Sequence, residues 1–154
     1  MCIRDRYEGK PGLGAYNHEN HEYFAVTPPA EYADMEIADL ELLAHVVSIN
    51  LWAPTWTGYD VAVHTDNQAC WYLLKNGRSR QDRRLHMSRS IATAGIKSQF
   101  RLISEWIPTT ENNLADALSR FGDPVQRSKF HEHCALLNNI PRPREIAPAH
   151  FVFN

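Results

Sequence analysis

The chain has 154 residues, enough for one domain with a real core and too few for two comfortable ones. Lys plus Arg number 16 and Asp plus Glu 18, so the formal net charge of −2 excludes both a histone-like basic protein and an acidic solvating tail. With 44% hydrophobic residues, disorder along the whole chain is excluded too.

In chain order, Met1 to Lys10 is charged and lacks the form of a secretory signal. Gly12-Leu13-Gly14-Ala15-Tyr16 can enter a strand, its glycines marking a turn or bulge, and Tyr23-Phe24-Ala25-Val26-Thr27 is a second run of β-formers stopped by Pro28-Pro29. A helix follows, with Asp39 placed to cap it and Leu40, Leu43, Ala44, Val47 and Leu51 at helical spacing before Pro54. His45 interrupts the longest apolar run, Leu40 to Val47, so no segment spans a bilayer. Asp60-Val61-Ala62-Val63-His64-Thr65 reads as a strand, Gln68 to Lys75 as a short helix ending at Asn76-Gly77, and Asp82 to Thr93 as a helix ending near Gly95. Phe100 to Ile107 is a strand stopped by Pro108, Asn113 to Phe121 a helix closed by Gly122, and Val125 to Asn139 a last helix. Pro141, Pro143 and Pro148 then make an extended tail. The alternation predicts an α/β sheet with helices packed on it.

Cys2, Cys70 and Cys134 are odd in number and widely spaced, with no C-x-x-C pair. Incidental thiols in a reduced, intracellular protein (cytoplasm or nucleus) are the expectation.

Three acids stand out by position. Asp66 sits at a strand end beside Asn67, Glu41 in the first turns of the long helix, and Asp116 in the first turns of the late one. Brought together, they would form an all-oxygen site suited to a hard divalent cation such as Mg²⁺. Each also has a structural explanation, since acids in a first helical turn complement the helix dipole and Asp66 can cap the helix after it.

The neighbourhoods of these acids resemble the ribonuclease H domain of retroelement reverse transcriptases. Ile37-Ala38-Asp39-Leu40-Glu41-Leu42-Leu43-Ala44 is similar to the family's Glu-bearing helix. Val63-His64-Thr65-Asp66-Asn67-Gln68-Ala69 is similar to its strand-end Thr-Asp-Asn motif. Trp106-Ile107-Pro108, with Asn112 and Ala115-Asp116-x-Leu118-Ser119-Arg120, is similar to its closing motif. The flavour is nearest gypsy-type and DIRS-type elements, and the resemblance covers about Gly12 to Arg120. It implies a ribonuclease H-like fold, a mixed sheet of about five strands flanked by helices. It implies Glu41, Asp66 and Asp116 as catalytic metal ligands for Mg²⁺, with Mn²⁺ as substitute, in a two-ion site cutting the RNA strand of an RNA–DNA hybrid. Asn67 and Asn112 become candidates for contact with the hybrid and for ordering the closing loop, with turn roles as the alternative. An upstream polymerase domain in the same polyprotein would deliver the hybrid.

Two features depart from the family. Ten residues before Asp116 stands Trp106, where cellular relatives carry a mobile His. The family's opening motif, Asp-Ala-Ser-x-x-Gly-x-Gly-Ala, is matched only by Gly12-Leu13-Gly14-Ala15; five residues before Gly12 is Tyr7, and Asp5 is the nearest Asp. Met1 to Arg6 looks like translated adapter sequence, so residues 1–11 are expected to be a damaged or non-native start and the first strand to be incomplete. Residues 12–122 then form the domain, and 123–154 a C-terminal helix with a Pro-rich linker.

Arg78, Arg80, Arg83, Arg84 and Arg89 fall within twelve residues with Asp82 as the lone acid. They suit a phosphate backbone, with Arg80, Arg83 and Arg84 as the leading contacts; a solvated helix face is the plainer alternative. His131-Glu132-His133-Cys134 does not place 131, 133 and 134 on one helical face, so zinc is disfavoured. Trp52, Trp56, Trp71 and Trp106 are expected to pack in the core and at its rim. The expected function is a metal-dependent hybrid nuclease. Its rival is a catalytically inactive ribonuclease H-like binding module, which the missing first carboxylate favours. A strand transferase of the integrase class ranks last, because that class ends its acidic set with Glu rather than Asp116.

Overall fold

A computed structural model describes residues 12–32, 34–136 and 144–146 of the chain. Asp5 and Tyr7, on which the opening motif turns, lie outside the described residues, as does Cys2.

The chain is an α/β domain. Its strands are β1 (Leu13–Asn17), β2 (Glu22–Val26), β3 (Asp60–Thr65), β4 (Arg101–Trp106) and the two-residue β5 (Arg144–Glu145). The helices are α1 (Ile37–Trp52), α2 (Gln68–Asn76), α3 (Asp82–Ser98), α4 (Asn113–Ser119) and α5 (Pro124–Leu136). Pairing is mixed: β1 and β2 are antiparallel, β2 and β5 parallel, β3 and β4 parallel. Instead of one continuous sheet, the described strands hydrogen-bond as two ladders, β1-β2-β5 and β3-β4.

The predicted elements recur with shifted ends. The expected cap, Asp39, lies inside the first turn of α1, and Glu36 holds the N-cap position without a side-chain cap bond. Asp39 is instead buried against Arg84. Helix α3 runs past Gly95 to Ser98 and stops at Gln99, which takes the left-handed conformation at φ 55°. Glycine costs a helix about 1 kcal/mol relative to alanine, and flanking packing outweighs that here. Gly12 and Gly14 do not mark a bulge. They let α4 lie directly on β1: a Cβ built at Gly14 would stand 2.5 Å from the Leu118 Cβ and 2.7 Å from the Ser119 nitrogen.

Within the expected extended tail, residues 144–146 pair with β2. Arg144 N donates to His21 O and Ile146 N to Tyr23 O, each at 2.8 Å, adding a short parallel strand to β2. The Arg144 guanidinium pairs with buried Glu22, whose other oxygen accepts the Trp52 indole N–H at 2.9 Å. A buried carboxylate with two donors is well compensated.

Helix α1 is buried on nearly all sides, from Asp39 to Ile49, which explains its lack of a polar stripe. It anchors the main core with Leu13, Phe24, Leu73, Met87, Ile91 and Phe100. A smaller core joins Tyr23, Ala117, Leu118, Phe130 and Cys134, so α5 closes over the outer side of α4. His45 sits fully buried in α1 with neither ring nitrogen hydrogen-bonded, and burial pushes its pKa well below the usual imidazole range. It is therefore a neutral core residue. Among the described residues no helix is long and apolar enough to cross a membrane.

Candidate functional site

The candidate residues gather where β3 and β4 end. Thr65 closes β3 and is fully buried, and its hydroxyl accepts the Asn67 backbone N–H at 3.2 Å. This small turn lifts Asp66 to the rim of the ladder. Asn67, rather than Asp66, caps α2: its Oδ1 accepts from Ala69 N at 2.9 Å and Cys70 N at 3.2 Å. Beyond β4, Ile107 N donates to Thr65 O at 3.0 Å and carries the chain towards Asn112. Buried Asn112 donates its side-chain N–H to Asp66 Oδ1 at 3.2 Å, and its carbonyl accepts the Asp116 backbone N–H at 3.0 Å. Asn112 thus ties the strand end to the start of α4.

Glu41 faces this rim from α1 and is only 5% exposed. Burial, and then the nearby Asp66 charge, push its carboxyl up to about 7; hydrogen bonds from Asn67 and Cys70 oppose the shift. Its Oε2 is buried without a hydrogen-bond partner among the described residues. The Cys70 thiol also reaches Ala38 O at 3.2 Å, and burial followed by the Glu41 charge raises its pKa, so it stays protonated. Glu41 and Asp66 are therefore electrostatic neighbours.

Asp116 is held differently. Its carboxylate pairs with Arg120, one turn along, while Oδ1 is buried and has no partner among the described residues. The orphaned oxygens of Glu41 and Asp116 are the kind of group a cation would satisfy. Among the described residues, however, no three His, Cys, Asp or Glu side chains stand close enough to hold one ion. This overturns the expected Mg²⁺ or Mn²⁺ cofactor and its two-ion arrangement. Such a site needs several convergent carboxylates whose charge the metal alone neutralises. Here Arg120 compensates Asp116 from one turn along.

The arginines divide into two kinds. Arg84 is half-buried and pairs with Asp39 and, at 3.3 Å, with Glu36, bracing α3 against the start of α1. Arg78, Arg80, Arg83 and Arg89 are exposed and enter no ion pair among the described residues. A cavity of about 460 Å³ between α2, α3 and the start of β4 shares no lining residue with the acid rim.

Sequence reasoning passed over Arg120, Cys70 and the setting of Trp106. The first was legible, because Asp116 and Arg120 stand four apart on one helix, the spacing of a surface ion pair. Cys70 beside Glu41 carried no such signal, since their helices meet only in the folded chain. No protein-family model matches the sequence, and no curated protein or solved structure matches it either.

Proposed function

We propose that this chain is a ribonuclease H-like module of a retroelement reverse transcriptase that binds nucleic acid, with an RNA–DNA hybrid as ligand, and does not hydrolyse it. The observation that carries this reading is the contrast between acids that form no ion-holding group among the described residues and a cluster of exposed cations. Asp116 is paired with Arg120, while Arg78, Arg80, Arg83 and Arg89 are exposed and enter no ion pair among the described residues. Exposed guanidinium groups clustered on a helix and its approach suit phosphate oxygens, to which arginine bonds as a planar fork. An intracellular setting, as part of a polyprotein with its polymerase, goes with the same reading.

The test is hybrid binding as a function of salt, followed by fluorescence anisotropy. Replacing Arg80, Arg83 and Arg89 with Ala should weaken binding evenly across sequences. Removing each arginine–phosphate pair should flatten the slope of log affinity against log salt by roughly 0.7–0.9. The RNA strand should remain intact after prolonged incubation with Mn²⁺. Cleavage that disappears on Asp66→Asn would overturn the inactive reading, and an unchanged salt slope would return the arginines to ordinary solvation.

A further inference from the structure

The four tryptophans, all expected to pack, do not behave alike. Trp52 is buried against Phe24, Trp56 meets Phe100 edge-on at 5.3 Å, and Trp71 lies under Lys75 with its N–H on Ser104 O. Trp106 is 47% exposed. It stands at the last position of β4, beside the acid rim, and its indole N–H donates to the Asp66 carbonyl at 3.1 Å. The next residue, Ile107, is fixed through its backbone N–H on Thr65 O. The ring is therefore tethered at its N–H, and the backbone just beyond it is fixed, while much of its surface stays in water.

We propose that Trp106 is a stacking platform for an unpaired nucleobase, so that the preferred ligand of this rim is a single strand or a frayed strand end. The proposal rests on the nucleic-acid reading above and sharpens its ligand class. A base inside a duplex has both faces covered by its neighbours, so an aromatic ring on the protein can stack only on a base that has left the helix. Orienting the indole in advance through its single N–H removes the rotamer entropy that a loose side chain would lose on binding.

The surroundings favour a base over a protein partner. The groups beside Trp106 are polar: the Asp66 carbonyl that accepts its N–H, and the Asp66–Asn112 pair. Ile103, the nearest exposed apolar residue along β4, points to the opposite face of the ladder, because side chains alternate along a strand. Protein interfaces centre on contiguous apolar area. A lone flat ring amid polar groups fits a flat ligand with a polar edge.

The experiment compares wild type with Trp106→Ala, Trp106→Leu and Trp106→Phe, all checked by circular dichroism for an intact fold. The probes are oligo-dT and oligo-U of about a dozen nucleotides and a blunt RNA–DNA hybrid of equal length. Trp106→Ala should weaken single-strand binding roughly tenfold and leave the blunt hybrid nearly unchanged. Trp106→Leu should behave like the alanine variant, because it restores bulk without a π face, and Trp106→Phe should stay within about threefold of wild type. Binding of the single strand should quench tryptophan emission in wild type and not in Trp106→Phe. Unchanged single-strand affinity in Trp106→Ala, or rescue by leucine, overturns the stacking role. Equal weakening for both ligands makes Trp106 a structural residue and overturns it too. If the arginine variant loses binding while the Trp106 variants do not, the module still binds nucleic acid but without this platform. If wild type binds neither probe, both readings fall, and an exposed contact for a protein partner remains.

Discussion

The two ladders reverse a general tendency. Parallel strands are normally covered on both faces, and antiparallel ones commonly leave one face in water. Here the antiparallel pair β1–β2 is buried along nearly its whole length, with α1 and α4 against it. The parallel pair β3–β4 leaves alternate residues exposed, and that face carries Asp60–Arg101, Ala62–Ile103 and His64–Glu105 as cross-strand pairs. Ladder direction therefore did not decide burial; the helices did. The difference also locates the chemistry. Asp66, Asn67, Trp106 and Asn112 all collect at the end of the half-exposed ladder, where a ligand can approach, while the covered ladder serves as the foundation.

The largest test of this contrast is Gly14→Ala. An added Cβ meets the backbone of Leu118 and Ser119, which cannot rotate away as a side-chain tip can, so α4 must shift off β1. The expected cost is roughly 3–4 kcal/mol in chemical denaturation. A destabilisation of less than about 1 kcal/mol would show that α4 is loosely seated and that the covered ladder is less rigid than its packing indicates.

The next concerns the rim and depends on pH. Glu41 holds its proton more tightly in the folded chain than in the unfolded one, where an ordinary glutamate titrates near 4.5 and the buried carboxyl near 7. Between those values the folded state binds more protons, so raising the pH through the window lowers stability. Glu41→Gln removes that penalty. The variant should match wild type near the lower end of the window and exceed it by up to about 3 kcal/mol above the upper end. A difference that stays constant across the window would mean that Glu41 is not desolvated.

The smallest expected effect belongs to the open face. Ile103→Thr on β4 keeps the β-branch and gives up part of the burial of a side chain that is 38% exposed, so its stability should remain within about 1 kcal/mol of wild type. A destabilisation of about 2 kcal/mol or more would mean that the exposed face of β3–β4 is covered in solution.

Much of the fold is legible from local signals. The run from Asp60 to Thr65 reads as a strand, and β3 keeps those ends, because alternating β-formers are bounded by turn residues on each side. α2 stops at Asn76 because Gly77 adopts φ 63°, which glycine tolerates without a steric penalty. The helical spacing of Leu40, Leu43, Ala44 and Val47 marks α1 as a core helix, although the burial of Asp39, Glu41, His45 and Ser48 on its other sides carries no such local signal. The order of the acids along the chain, and the elements that carry them, are equally local properties.

What the acids do to one another is not. An acid's ionisation depends on which charges and how much water surround it, and those neighbours come from elements distant in sequence. Asp39 meets Arg84 across 45 residues, Asp66 meets Asn112 across 46, and Glu41 meets Asp66 only because α1 packs beside the end of β3. The exposure of Trp106, set against three tryptophans that pack, is likewise fixed by where α4 and the end of β4 leave space. Periodicity, turn chemistry and helical spacing act over a few residues, so the residue order alone sets the elements, their succession and the Asp116–Arg120 pairing. Desolvation and charge pairing belong to the assembled interior. Folding in three dimensions was therefore needed to decide that, among the described residues, no three acids gather closely enough to hold one ion, and that the Trp106 indole stays half-exposed at the rim.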